Sequence, residues 1–181
     1  GGEGTDSESV TVENTDPELT TVAITPDTGV DTSTTLSCTV VATDADGDDP
    51  TITYAWTNTT EGSSLGTEST VTLSATTTSP GDTIRCTATA TDADGGSASV
   101  SDSVTVENTE PEITSVSISP NTGVTNTTAL TCSAEASDDD GDTPSLAYVW
   151  TNATRSTSLG TGTTLTLTSS MVTAGESVQC K

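Results

Sequence analysis

The sequence contains no His and no Phe, and only three of its 181 residues are basic. His is the side chain that most often serves as general acid or base near neutral pH. The Ser and Thr residues have no activating partner in any recognisable motif, so we expect no catalytic site. The sequence also has no apolar run near the 18 residues of a membrane-spanning helix, and we expect no transmembrane span.

The scarcity of basic residues leaves a strongly acidic chain. The 27 acidic side chains are opposed only by Arg85, Arg155 and Lys181, which gives a formal net charge of -24. Such a surface repels nucleic-acid phosphates and anionic lipids, and it attracts cations wherever carboxylates cluster. We therefore expect no nucleic-acid partner.

Large apolar side chains are also few, since hydrophobic residues make up 29% of the chain while about a quarter is Thr. β-Branched Thr and Val favour strands and disfavour helices. Residues Gly1 to Asp6 are small and acidic and lack the basic and apolar regions of a secretion signal, which fits a mature or internal segment. The composition favours an all-β chain.

A repeat organises the sequence. SVTVENTDP at residues 9–17 recurs as SVTVENTEP at residues 103–111, an offset of 94 positions that also relates the two halves elsewhere. The equivalent pairs are Cys38 and Cys132, Trp56 and Trp150, and Cys86 and Cys180. A fixed period indicates copies of one unit. We predict that residues 1–14 are the last strand of a preceding repeat plus a linker, that 15–108 are repeat one, and that 109–181 are repeat two, truncated before its last strand.

Apolar residues alternate with polar ones along several segments of the first copy. The segments are 36–42, 52–56, 71–73 and 84–90, with flanking apolar runs at 19–24 and 98–106. Alternation of period two predicts strands with one buried face. About seven short strands per copy, separated by Gly- and Pro-containing turns, are typical of a β-sandwich.

Each copy carries two cysteines 48 residues apart, with a Trp 18 residues after the first. This arrangement resembles the immunoglobulin fold, in which a Cys on strand B, a Trp on strand C and a Cys on strand F meet in the core. The resemblance implies tandem immunoglobulin-like β-sandwiches, each with one B–F disulfide. Four cysteines allow three pairings, and the repeat favours Cys38 with Cys86 and Cys132 with Cys180. Disulfides in turn imply an extracellular location.

A second resemblance lies in ATDADGDDPTITYAW and ASDDDGDTPSLAYVW, at residues 42–56 and 136–150. They are similar to the PKD-like and cadherin-like repeats of large prokaryotic surface proteins, although the typical WxFGDG continuation is replaced by TNTTEG after Trp56 and TNATRS after Trp150. The resemblance implies an extracellular fibre, filament or adhesin stalk. Its partners would be further copies of the same repeat.

The acidic clusters are the strongest candidates for a functional site in this sequence. In an immunoglobulin-like sandwich the B–C loop, the F–G loop and the incoming linker lie at one end, and several carboxylates there would suit Ca2+, which takes six to eight oxygens. The candidate ligands are Glu13, Asp16, Asp44, Asp46, Asp48, Asp92 and Asp94 in copy one, and Glu107, Glu110, Asp138, Asp140 and Asp142 in copy two. The cadherin-like resemblance also implies Ca2+ at the joints between repeats. No other cofactor is expected.

Two alternatives to this Ca2+ interpretation bear on the same clusters. DADGD opens like an EF-hand loop, but its twelfth position is Ala55 instead of Glu, which excludes a standard EF-hand. Asp and Gly also favour tight turns, so the clusters fit solvated turns equally well.

Asn58, Asn126 and Asn152 open N-x-[ST] sequons, which fit surface positions and are candidate glycosylation sites.

Three functions are compatible with the repeat. The leading one is a structural stalk. The second is a module whose loops bind a glycan or protein, which the placement of all four aromatic residues on the presumed core strand disfavours. The third is a donor-strand filament, in which residues 1–12 complete the open sandwich of the next subunit.

Overall fold

The computed structural model describes residues 3–181, which form thirteen β-strands and no α-helix. The predicted all-β class is confirmed. The chain divides into two compact units, the first ending at Asn108 and the second spanning Thr109–Lys181. Residues 3–17 carry no strand. Gly1 and Gly2, part of the strand predicted to end a preceding repeat, lie outside the described residues, and that assignment stays a prediction.

The first unit is a seven-stranded sandwich. Its strands are β1 Glu18–Thr25, β2 Thr35–Thr43, β3 Thr51–Asn58, β4 Ser63–Gly66, β5 Thr70–Thr72, β6 Thr83–Thr91 and β7 Ser97–Thr105. They form two antiparallel sheets in the orders β1-β2-β5 and β4-β3-β6-β7. This is the strand arrangement of an immunoglobulin-like sandwich, as the sequence predicts.

Strand alternation explains how so few apolar residues make a core. Successive side chains of a strand point to opposite faces. In β6 the buried residues Ile84 and Cys86 flank the exposed Arg85. The outward faces are rich in Thr, whose hydroxyls bond across strands, as between Thr35 and Thr72 at 2.9 Å. The abundant Thr therefore belongs to the solvent faces of the sheets.

A disulfide and a Trp stand at the centre of the first core. Cys38 on β2 and Cys86 on β6 are bonded across the two sheets, with their Cα atoms 6.4 Å apart. Trp56 on β3 is fully buried and lies opposite Cys86 in the strand register. Its indole Nε1 donates a hydrogen bond to the carbonyl oxygen of Glu68 at 3.0 Å. The predicted disulfide between Cys38 and Cys86 is confirmed, and these two residues and Trp56 lie on the predicted strands.

The second unit repeats this plan with six strands. They are β8 Glu112–Ser119, β9 Ala129–Ser137, β10 Val149–Asn152, β11 Thr157–Thr161, β12 Thr164–Thr166 and β13 Val178–Cys180. The sheets have the orders β12-β9-β8 and β11-β10-β13. Cys132 bonds to Cys180, and Trp150 is fully buried. Within Thr109–Lys181, β13 pairs with β10, as β6 pairs with β3 in the first unit.

We predict that replacing Cys38 and Cys86 together by Ala lowers the free energy of unfolding of the first unit by about 4 kcal/mol, because the bridge closes a loop with a sequence separation of 48. Urea unfolding followed by the fluorescence of Trp56 measures this loss. The matched control replaces Cys132 and Cys180, which should leave the transition of the first unit unchanged. A loss below 1 kcal/mol would contradict the central role of the bridge.

Candidate functional site

Three segments of the first unit meet at the end where the chain enters it. They are residues 13–17, the β2–β3 loop at 44–50 and the β6–β7 loop at 92–96, and we call them the entry end. The backbone N–H of Thr15 donates to Asp46 Oδ2 at 2.7 Å. The side-chain amide of Asn14 donates to Asp92 Oδ2 at 3.0 Å. The convergence expected from the fold is therefore present.

The carboxylates of the entry end also hold their own turns. Asp44 Oδ1 accepts from the backbone N–H of Asp46 at 2.7 Å. Asp92 Oδ1 accepts from the N–H groups of Asp94 at 2.9 Å and Gly96 at 2.8 Å. Such bonds from an Asp to a backbone two to four residues on stabilise tight turns. They explain the Asp-rich composition of these loops without a ligand.

Gly96 makes the close approach of the linker possible. A Cβ at this position would lie 2.4 Å from Asp92 Oδ2 and 2.5 Å from Asp16 Oδ1. Any side chain at this position would displace the ends of these side chains, so Gly96 leaves room for their close approach. Asp92 is buried there, and the hydrogen bond from Asn14, followed by the backbone N–H groups of the loop, lowers the pKa of Asp92.

Negative charge is concentrated at the entry end. Desolvation, followed by the charges of Asp44 and Asp94 and then of Asp92 and Asp46, raises the pKa of Asp48. Asp44 Oδ2 is buried and has no hydrogen-bond partner. A cation at this end would relieve repulsion among these carboxylates.

The described carboxylates nevertheless do not form a preformed metal cage. Across residues 3–181 no group of three or more Asp, Glu or Cys side chains is arranged to hold a metal ion. Several carboxylate oxygens of the entry end, including Asp46 Oδ2 and Asp92 Oδ1, accept hydrogen bonds from the backbone. Glu13 is exposed and is not part of the bonded set described above. Ca2+ binding at this end therefore stays a prediction from the sequence.

The second unit has the same bond between its entry segment and its loop. The backbone N–H of Thr109 donates to Asp140 Oδ2 at 2.6 Å, and Asp138 Oδ1 accepts from the N–H of Asp140 at 2.9 Å. These residues are equivalent to Thr15, Asp46 and Asp44. We call the two bonds from Thr to Asp the linker clamps.

The other predicted ligands of copy two are placed differently. Glu110 and Asp142 are exposed. Glu107 is bound within the first unit, where its backbone N–H donates to the carbonyl of Val30 at 2.6 Å and its Oε1 accepts from the N–H of Gly29 at 3.0 Å. The Glu107 carboxylate therefore anchors the chain as it leaves β7.

Two of the three sequons lie in the core and not at the surface. Asn58 and Asn152 have 0% exposure. Their side-chain amides, the groups that would carry a glycan, donate to Asp82 Oδ2 at 2.7 Å and to Glu176 Oε2 at 2.9 Å, respectively. The prediction of surface positions is wrong for both, because a glycan on either amide would displace this packing. Asn126 is exposed, and its glycosylation stays a prediction.

These buried amides organise the turn that follows the Trp strand. Asn58 Oδ1 accepts from the N–H groups of Thr60 at 3.1 Å and Glu61 at 3.2 Å, and its amide also donates to the carbonyl of Thr77 at 3.3 Å. Asn152 makes the equivalent bonds in the second unit. A Trp-Thr-Asn tripeptide in both copies is the sequence signal that could have identified this role.

The strand orders and the two disulfides define the class of protein: a tandem array of immunoglobulin-like β-sandwiches. No protein-family model and no curated protein matches the chain. Among solved structures, the chain is similar to the three N-terminal domains of the bacteriophage RB49 Highly Immunogenic Outer Capsid protein (Hoc), at 21% identity and a TM-score of 0.34. The match covers 89% of this chain and 54% of that one, so this chain spans about half its length. At such a TM-score the likeness adds nothing to the assignment, which rests on the strands and bridges.

We predict that Asp46→Ala releases the linker clamp of the first unit. A hydrogen bond to a charged group contributes about 1.5 kcal/mol or more, so hydrogen exchange of the Thr15 amide should accelerate at least roughly tenfold. Asp49→Ala is the matched control, because Asp49 is an exposed residue of the same loop. Equal exchange rates in the two variants would show that Asp46 does not hold the linker.

A second prediction concerns Glu176. The hydrogen bond from Arg155, followed by the N–H of Thr173, lowers the pKa of Glu176 from 4.5 to about 2. Because the pKa is lower in the folded state, Glu176 stabilises the second unit above pH 4.5, and this contribution is lost as the pH falls towards 2.

Arg155→Gln should raise the pKa of Glu176 towards 4.5, as measured by NMR titration of its side-chain carboxyl carbon. Arg85→Gln, which removes the exposed Arg of β6 in the first unit, should leave it unchanged. A value near 2 in both variants would contradict the assigned cause.

Proposed function

We propose that this chain is a non-enzymatic structural segment of an extracellular fibre, filament or adhesin stalk, related to the PKD-like and cadherin-like surface repeats. The observation that carries the proposal is the linker clamp present in both units, from Thr15 to Asp46 and from Thr109 to Asp140. A bond that fixes the incoming chain to its own domain limits the directions in which a preceding repeat can lie. Stalks need such restricted joints.

The disulfides support the extracellular location. Both bridges join strands across the two sheets of their unit, and such bonds persist in oxidising compartments. Among residues 3–181 there is no helix long and apolar enough to cross a membrane.

The placement of the aromatic residues favours a spacer over a glycan-binding module. Trp56 and Trp150 are fully buried, and Tyr54 and Tyr148 are half-buried against the two cores. Aromatic side chains that bind a partner are exposed before binding. The four aromatic residues of this chain serve the cores of the repeats instead.

We propose that the entry end binds Ca2+, and we predict that Ca2+ raises the midpoint of thermal unfolding of the first unit relative to EDTA. Replacing Asp44 and Asp48 together by Asn should abolish the effect, because after desolvation the charge of Asp44 contributes most to the raised pKa of Asp48, and Asp44 Oδ2 has no hydrogen-bond partner. Replacing Asp27 and Glu61 by their amides removes the same charge from exposed positions elsewhere and should preserve it. An equal midpoint in Ca2+ and EDTA would reject Ca2+ as a ligand of the entry end.

The stalk proposal predicts that the molecule becomes longer as repeats are added. Chains carrying one and two extra copies of residues 15–108 should each gain about 35 to 40 Å per copy, since strands of eight to ten residues rise about 3.3 Å per residue and loops add to them. Small-angle scattering extrapolated to zero protein concentration measures the gain. A particle that becomes more compact per copy would reject the stalk.

A further inference from the structure

A polar pocket lies in the first unit beside the turn that follows β3, and we call it the turn pocket. It has a volume of about 510 Å³ and is lined by Asp82 and by residues of the segments 61–65 and 75–79. Of the ten described residues that line it, six are Ser or Thr, two are acidic and none is basic. A lining of this kind offers hydrogen-bond acceptors and negative charge, so it suits a cationic group.

The carboxylate of Asp82 is the fixed part of this pocket. Asp82 has only 5% exposure, and its Oδ2 accepts from the side-chain amide of Asn58 at 2.7 Å and from the backbone N–H of Ser79 at 2.9 Å. Within residues 3–181 no group donates to its Oδ1. An ionised carboxylate bound through one oxygen can still accept hydrogen bonds at the other.

The second unit builds the same carboxylate site from equivalent residues. Glu176 occupies the position of Asp82, 94 residues later. Its Oε2 accepts from the side-chain amide of Asn152 at 2.9 Å and from the backbone N–H of Thr173 at 2.8 Å. These donors are the counterparts of the amide and the N–H that bind Asp82, so the two turns hold their carboxylates in the same way.

One substitution separates the two sites. In the second unit Arg155 Nη2 donates to Glu176 and also to the carbonyl oxygen of Met171, the latter at 2.9 Å. In the first unit Glu61 takes the position of Arg155, and Thr77 takes that of Met171. Both Glu61 and Thr77 line the turn pocket. The first unit therefore keeps the acceptors of a guanidinium group but replaces the guanidinium by a further carboxylate.

We infer that the turn pocket of the first unit binds the side chain of an arginine that a partner protein supplies. The guanidinium takes the place that Arg155 has in the second unit, and Glu61 is an additional acceptor beside Asp82. A guanidinium group presents its N–H groups in a planar fork that matches the oxygens of carboxylates. The inference goes beyond the proposed function, because a stalk needs no such site.

The charge of the chain favours a basic partner over a second copy as the occupant. Each copy has a formal net charge of -24, so two copies repel each other. Arg155 is already bound to Glu176, which leaves Arg85 and Lys181 as the other basic residues of a copy. A partner with a basic surface is instead attracted by the whole chain as well as by the pocket.

The burial of Asp82 makes the pocket more than a surface ion pair. Pairs between two mobile, exposed side chains contribute little, because ordering both side chains opposes their attraction. Asp82 is already ordered, since its carboxylate is buried and holds two hydrogen bonds before any ligand binds. The turn pocket is therefore a preorganised subsite for one arginine within a wider contact surface.

NMR titration of the intact chain with N-acetyl-arginine amide tests this inference. We expect saturable chemical-shift changes of the Asn58 side-chain amide and of the Ser79 backbone N–H, because both groups are bonded to Asp82. N-acetyl-citrulline amide has a similar shape but no charge, and it should produce no saturable change. Saturable changes of equal size with both compounds would overturn the guanidinium as the recognised group.

Glu61→Arg should weaken binding of N-acetyl-arginine amide at least tenfold, because the new side chain fills the pocket from within, as Arg155 does in the second unit. Asp27→Arg is the matched control. It makes the same change of charge at an exposed position outside the pocket and should change the affinity less than twofold. Equal affinities in the two variants, or no saturable change in the unchanged chain, would overturn the inference.

The reverse substitution provides an independent measurement in the second unit. Arg155→Glu removes the internal guanidinium and leaves the bonds from Asn152 and Thr173 to Glu176 in place. N-acetyl-arginine amide should then shift the side-chain amide of Asn152, which it should not affect in the unchanged chain. A second unit that does not respond after this substitution would overturn the equivalence of the two sites on which the inference depends.

Discussion

The structure depends on the contact between a disulfide and a Trp in each unit. The chain has 29% hydrophobic residues and no Phe, so it cannot build its cores from large side chains alone. Cys38 and Cys86 join the two sheets, and Trp56 lies opposite Cys86 in the register. The bridge restricts the unfolded chain and thereby allows an acidic, Thr-rich sequence to fold on small β-branched residues. Because the disulfide and the Trp stabilise the core, the surface can carry many carboxylates.

Several of the acidic residues act as hydrogen-bond acceptors that hold loops and linkers in place. Asp46 and Asp140 hold the incoming linkers, Asp44 and Asp92 hold turns, and Asp82 holds a buried amide. An ionised carboxylate that accepts a hydrogen bond from an N–H group forms a stronger bond than a neutral oxygen does. The same residue type therefore provides solubility at the surface and order in the loops.

The sequence predicts the fold well because the repeat and the alternation are long-range signals that agree with each other. Cys38, Trp56 and Cys86 have the positions expected of them. Strand β4 has no alternation that could indicate it, since Ser63–Gly66 is short and half-exposed. The site was harder to predict. The space that Gly96 leaves is filled in part by Asp16 and Asn14, which approach it from a distant segment of the chain. The burial of Asn58 depends on Asp82, 24 residues away in sequence, and so a sequon pattern could not indicate it.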